Sequence, residues 1–245
     1  MSLPVTLYNR ITHTVKTPRY ARLFATSAVF TMRLPYVSDP PNFSSEEDQE
    51  IEKRIRERRG ARGLIPLDKS LLHSPPVADG WNSFLRAIRT STTLSASLRE
   101  AAISRVAILN RAWYEFEHHA PLLLKDGGFP VAGLRYIVSA PPSTKTQSPH
   151  VVNESIGIDA QHAAVLSYTD YSTLAVEVPD DIFATIKNTF TDREIVEMTA
   201  TIGAYNCVSR FLVALDVSES NGDKGMEASL KHVSQELVGI RPASR

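Results

Sequence analysis

The chain is poor in several things, and each scarcity excludes something. Of its 245 residues one is a cysteine, Cys207. That excludes an internal disulfide and any metal site built from thiolates alone. No apolar run reaches the ~20 residues that a membrane-spanning helix needs. Net charge is zero, with 27 basic and 27 acidic side chains, so there is no electrostatic case for a nucleic-acid partner. Acidic residues are missing altogether from residues 1 to 38, which carry Arg10, Lys16, Arg19, Arg22 and Arg33. The rest of the chain therefore holds 27 acidic against 22 basic residues. A basic, acid-free start with Ser and Thr reads as a mitochondrial transit peptide, and the segment RYARLFATSAVF looks like a matrix-processing region. The competing reading is a disordered basic arm on a cytoplasmic protein. With 42% apolar residues the remainder can bury one good core. The expected organisation is a presequence or arm over 1–40 and a single helical domain over 44–245.

What is present is concentrated in one stretch, Leu94 to Gly128. Ala101, Ala102, Ile103, Val106, Ala107, Ile108 and Leu109 leave few polar positions on the turns they span, which suits a helix buried on most of its circumference. Glu100 sits at its mouth. Asn110 has the chemistry of an N-cap, so a second helix is expected to start there, carrying Glu115, Glu117, His118 and His119. Glu115 and His119 are one turn apart on one face, and His118 points elsewhere. A carboxylate beside an imidazole in an apolar setting forms a proton relay, because each partner shifts the other's pKa.

Around this centre the pattern is helical throughout. Ser44 and Glu47 have capping-box spacing ahead of a charged helix in which only Ile51 and Ile55 are aliphatic, and Gly60 and Gly63 end it. Arg58, Arg59 and Arg62 read first as a solvated helix end, and second as a phosphate grip. A short helix over Leu67 to Leu72, a break at Pro75 and Pro76, and a helix with Trp81, Phe84, Leu85 and Ile88 on one face follow. His73 is either a loop residue or an edge of the pocket. After Gly127 and Gly128 the helical period is lost, and a Pro-, Ser- and Thr-rich loop is expected, either a lid over the pocket or an unattached insertion. Two helices cover the segment from Ile158 to Phe190. A strong one follows, with Thr191 and Glu194 at capping-box spacing ahead of the stripe Ile195, Met198, Ile202, Tyr205, Val208.

The central stretch resembles the alkylhydroperoxidase-D-like, carboxymuconolactone-decarboxylase-like superfamily, whose signature is a Glu, a Cys-x-x-Cys at a helix start and a His four residues on. Counted from Glu100, the cysteine positions fall on Ala112 and Glu115 and the histidine on His119. The spacing is kept and both thiols are absent. YEFEHHAPLLLKDGG is similar to a branch common in fungi, with Phe116 where that branch usually has Trp, and Gly203, Tyr205, Asn206, Arg210 and Phe211 occupy a second motif of that branch. The resemblance implies an all-α, alkylhydroperoxidase-D-like domain that assembles as a homo-oligomer (dimer, trimer or hexamer).

Thiol peroxidase chemistry needs a reactive thiolate and a resolving thiol, and neither Ala112 nor Glu115 supplies one. Cys207, alone in an apolar helix, reads as packing. The reading adopted is acid/base chemistry without a cofactor or metal, of lyase or isomerase type such as decarboxylation, on a small organic acid. His119, oriented by Glu115, moves the proton, and Glu100 stands behind as relay. Tyr114 or Tyr205 donates to a developing enolate. Arg210, beside Asn206, grips a substrate carboxylate, because a guanidinium makes two parallel bonds to it. Glu115 and His119 also have the spacing of a metal-ligand pair, but two ligands are too few. The alternative from a different class is a non-catalytic helical oligomer in which Glu115, His119 and Arg210 form a buried polar network.

Overall fold

The computed structural model describes residues 32–239. Most of the expected presequence or arm over 1–40 lies outside them. From Met32 onward the chain packs on the helical unit, ahead of the expected helical start at residue 44. Met32 is buried against the main core. The Arg33 amide donates to the Leu215 carbonyl at 3.0 Å and the Val37 amide to that of Lys69 at 3.4 Å.

The described residues form ten α-helices: α1 Glu46–Arg59, α2 Pro66–Leu71, α3 Pro75–Thr90, α4 Ala96–Leu109, α5 Trp113–Lys125, α6 Val131–Ser139, α7 Ala160–Leu174, α8 Asp180–Thr189, α9 Asp192–Leu215 and α10 Gly222–Gly239. Among the described residues only two isolated β-bridges occur, so the all-helical expectation holds.

The helix ends follow local chemistry. Ser45, rather than Ser44, caps α1 by accepting from the Asp48 amide, and acidic residues in its first turn and arginines in its last complement the helix dipole. Ile51 and Ile55 are its buried positions, as the sequence suggests. Pro75 and Pro76 do not break the chain; they open α3, where the missing N–H costs nothing. Phe84, expected on the buried face of α3, is 51% exposed. The capping box of α9 forms as expected, with Thr191 accepting from the Glu194 amide and Glu194 from that of Thr191.

Helix α4 is the axle of the molecule. Every residue from Glu100 to Ala107 is buried, and α5, α6, α7 and α9 pack around it. Its chain direction reverses sharply into α5. Asn110 ends α4 rather than starting α5, because Arg111 adopts the left-handed region (φ 54°) and the Ala112 amide returns to the Ala107 carbonyl at 2.8 Å. Ala112 becomes the N-cap of α5. Asn110 instead uses its side-chain amide to reach Asn206 Oδ1 on α9 at 3.0 Å.

The expected loop after Gly128 is partly wrong. Residues 131–139 form α6, and the segment beyond it is neither a lid nor unattached. It is fastened to a buried ion pair in which Arg105 of α4 grips Asp170 of α7 with two bonds of 2.6 and 3.0 Å. Arg105 also donates to the Ile137 and Ala140 carbonyls, and Asp170 accepts from the Ser143 amide and contacts His150 Nε2 at 2.8 Å. Burial raises the Asp170 carboxyl, but the bonds from His150, Arg105 and Ser143 outweigh it and hold the pKa below the ordinary aspartate value. A buried pair this well bonded is costly to break from one side only.

Candidate functional site

The site is built where α4 crosses α5. Glu100 lies in the second turn of α4 and His119 in the second turn of α5. Their antiparallel packing brings Glu100 Oε2 to 2.7 Å from His119 Nδ1, with the two residues 2% and 8% exposed. Burial pushes Glu100 up; the bond from His119 and the charges of His119, Arg99 and Arg89 more than offset it, so its pKa lies below the ordinary value. A carboxylate on Nδ1 fixes the ring and leaves Nε2 as the nitrogen able to exchange a proton.

Glu115 does not orient His119. It shares the helix face, but Ser209 of α9 donates to its Oε2 at 2.9 Å and holds the carboxyl against the facing helix. Burial drives its pKa well above the ordinary glutamate value, only partly countered by Ser209, and so favours the protonated acid. Its other oxygen, Oε1, has no hydrogen-bond partner. The phenol of Tyr205 packs its ring edge-on to His119, with centroids 4.8 Å apart, and its buried hydroxyl is likewise unpaired. Tyr114 is buried too, and its hydroxyl makes no well-formed bond although the Leu67 backbone lies beside it. Desolvation raises both phenols, so both remain donors.

These groups share one cavity of about 790 Å³. Glu100, Tyr114, Glu115, His119 and Tyr205 line it, with Val208 and Leu212 as an apolar wall. His118 lines it as well, although its position was expected to face away. It is exposed, and its Nδ1 lies 2.7 Å from the Tyr114 carbonyl.

The other two expected site residues stand elsewhere. Asn206 ties α9 to α4 and α7 through Asn110 and Thr173. Arg210 is exposed and bonds back to the carbonyl and side chain of Asn206 at 2.9 and 2.7 Å. The reason is helical geometry: five residues beyond Tyr205 is a rotation of about 140°, so one of the two faces inward and the other cannot. Cys207, read as core packing, is exposed. His73 contacts the Pro35 carbonyl and does not line the cavity. The guanidiniums that do line it are Arg58, Arg59, Arg62, Arg86, Arg89 and Arg99. The three from α3 and α4 escaped the sequence reading, although Arg86 and Arg89 at one-turn spacing, ten residues ahead of Arg99, were a usable signal.

A second hydrogen-bonded chain, Ser97 Oγ to His162 Nε2 at 2.8 Å and His162 Nδ1 to Asp159 at 2.8 Å, joins α4 to the start of α7 outside the cavity. Among the described residues no three His, Cys, Asp or Glu side chains converge as a metal-binding group, and no helix is long and apolar enough to cross a membrane.

The site thus sits in an α-helical domain in which α4 and α5 hold a Glu–His pair at the wall of one cavity. Solved structures share the fold, two of them over most of their own length. An uncharacterized peroxidase-related protein from Ralstonia eutropha JMP134, described as an alkylhydroperoxidase AhpD core, aligns over 76% of this chain and 90% of its own at 15% identity, with a TM-score of 0.58. An uncharacterized peroxidase-related protein from Silicibacter sp. TM1040 aligns over 75% and 91% at 18% identity, with a TM-score of 0.56. The chain thus has the alkylhydroperoxidase-D-like fold. No family model matches it, and no curated protein does.

Proposed function

We propose that this chain is an acid/base enzyme of lyase or isomerase type acting on a small organic acid with its own side chains. The observation that carries the reading is the 2.7 Å bond between Glu100 and His119 at the wall of a cavity large enough for a metabolite. In a decarboxylation the electron pair of the breaking C–C bond passes into an enolate, carbon dioxide leaves, and protonated His119 Nε2 delivers a proton to carbon. In an isomerisation His119 Nε2 removes a proton from one carbon and returns it to another. In both, the enolate oxygen needs donors that stay protonated, and Glu115, Tyr205 and Tyr114 have that property. Glu100 is a positioning residue that fixes the imidazole tautomer.

The family-type thiol mechanism lacks its nucleophiles, since the two thiol positions are the N-cap Ala112 and the carboxyl-bearing Glu115. The alternative of a network that only fixes helix packing is less well supported, because Glu115 Oε1 and the Tyr205 hydroxyl are buried without partners, and packing networks are ordinarily satisfied. The reading carries with it the homo-oligomeric state and the fungal-type branch that the motif resemblance implies, and a matrix location from the basic N-terminal stretch. Light scattering and import into isolated mitochondria test the first and last.

The chemistry is tested by incubating the protein with a panel of small organic acids in heavy water and following carbon-bound deuterium and carbon dioxide release by NMR. Enzyme-dependent exchange or release that disappears in His119→Gln supports the proposal; exchange that persists at the wild-type rate in that variant refutes it.

A further inference from the structure

The arginines of the cavity are more numerous than the fold needs. Six line it, set on four elements: Arg58 and Arg59 at the end of α1, Arg62 in the turn after it, Arg86 and Arg89 near the end of α3, and Arg99 in the first turns of α4. A helix C-terminus favours a cation, which accounts for some of those on α1 and α3. It does not account for Arg99, which stands near a helix N-terminus where a cation is disfavoured, nor for Arg62, which lies outside any α-helix.

Internal carboxylates neutralise only part of this charge. Arg59 makes two bonds of 2.7 and 2.8 Å to buried Asp68, Arg58 stands 3.6 Å from the same carboxylate, and Arg99 is 3.3 Å from Glu100. Arg62, Arg86 and Arg89 have no carboxylate within ion-pair distance among the described residues. The remaining carboxyls of the lining are Asp126 and Glu115, and burial favours the protonated form of the latter. The crowding is felt inside the cluster: burial, together with the like charges of Arg59 and Arg89, lowers the Arg58 guanidinium despite Asp68. Yet the chain beyond residue 38 is acidic in sum, so this wall is a local concentration of charge against the background.

We propose that the cavity takes a small molecule bearing two or more negative charges, its anionic end held by the Arg58, Arg62, Arg86 and Arg89 side of the mouth and its reacting carbon turned to His119. Two chemistries meet this description, a phosphorylated acid and a polycarboxylate, because both offer paired oxygens to a guanidinium fork. A monocarboxylate would leave most of the collar uncompensated. The proposal deepens the acid/base reading by naming its substrate class, and rests on that reading only for which end of the ligand reacts.

The test is calorimetric titration of the full chain with pyrophosphate, citrate and acetate at fixed ionic strength. Pyrophosphate or citrate is expected to bind roughly tenfold or more tightly than acetate, a contrast set by charge-assisted hydrogen bonds. Whichever of the two binds more tightly identifies the source of the anion. The double variant Arg86→Gln and Arg89→Gln is expected to lose roughly tenfold or more of that affinity, while Arg135→Gln, on the exposed side of α6, keeps it. Circular dichroism and thermal melting establish that both are folded. Equal affinity for acetate, no binding of either polyanion, or a folded double variant that binds like the wild type overturns the proposal. His119→Gln separates the two claims. Polyanion binding retained in that variant, with turnover lost, supports both; polyanion binding absent, with His119-dependent turnover of a monocarboxylate, removes the substrate class and leaves the chemistry standing.

Discussion

His119 Nδ1 meets Glu100 Oε2 at 2.7 Å across the α4–α5 crossing, although Glu115 is the carboxylate one turn away on its own helix. The consequence is a division of labour between two buried acids. The imidazole and nearby arginines favour the ionised form of Glu100, and burial favours the protonated form of Glu115. Environments that push two carboxyl groups apart in this way assign one to charge and the other to protonated work.

Replacing Glu100 by Gln removes the charge that anchors the ring. Turnover is expected to fall by about 10²-fold or more, with KM changed little, because the loss is in proton transfer rather than in binding. Steady-state kinetics on a substrate from the organic-acid panel measure this split. A rise in KM alone would point to Glu100 as a binding group.

Glu115 makes the stability of the protein depend on pH in an unusual sense. Its folded pKa lies above the unfolded value of 4.5, so the folded state holds the proton more tightly. Its contribution to stability is therefore fully present below about 4.5 and is lost as pH rises through the folded pKa. Glu115→Gln removes this slope and is expected to raise the melting temperature near neutral pH, while reducing turnover by about tenfold if the acid only donates a hydrogen bond. Calorimetric melting of both proteins across that range checks the sign; an identical pH dependence would contradict the neutral-acid assignment.

The Arg105–Asp170 pair predicts the opposite slope. Asp170 has a folded pKa below its ordinary 3.8, so its contribution is present above that value and is lost as pH falls through the folded pKa. Removing it by Asp170→Asn leaves Arg105 buried without a counter-charge and is expected to cost about 3–5 kcal/mol. Hydrogen exchange should then quicken first at Ser143 and His150, the residues it fastens.

Arg210 supplies a negative control. It is exposed and bonded only to Asn206 four residues back, so Arg210→Gln is expected to change turnover and ligand affinity by less than about twofold. A large loss of affinity would return this residue to the site.

Much of this was legible in the sequence, and what was not has a common cause. Helices α4 and α9 announce themselves through near-continuous apolar turns and capping residues, which are local signals, and Glu100, Tyr114, Glu115, His119 and Tyr205 do meet in one cavity. The pairing of Glu100 with His119 is not local: it depends on how α4 and α5 cross, which in turn depends on Arg111 entering the left-handed region. A residue with Asn110 before it reads as a helix start, and only the return of the Ala112 amide to Ala107 makes it an ending. The arginine wall was hidden for the same reason. Its members come from four elements, and only Arg58, Arg59 and Arg62 lie close together in the sequence. Arg105 sat unnoticed in an apolar run because its partner is 65 residues away.

The measurement that bears most directly on the central claim is the tautomer of His119 by nitrogen-15 NMR at mildly alkaline pH. With Glu100 on Nδ1, the ring must carry its proton there and present an unprotonated Nε2 to the cavity. The account predicts the Nδ1–H tautomer in the wild type and its loss in Glu100→Gln. A wild-type ring protonated on Nε2, with Nδ1 bare, would contradict it.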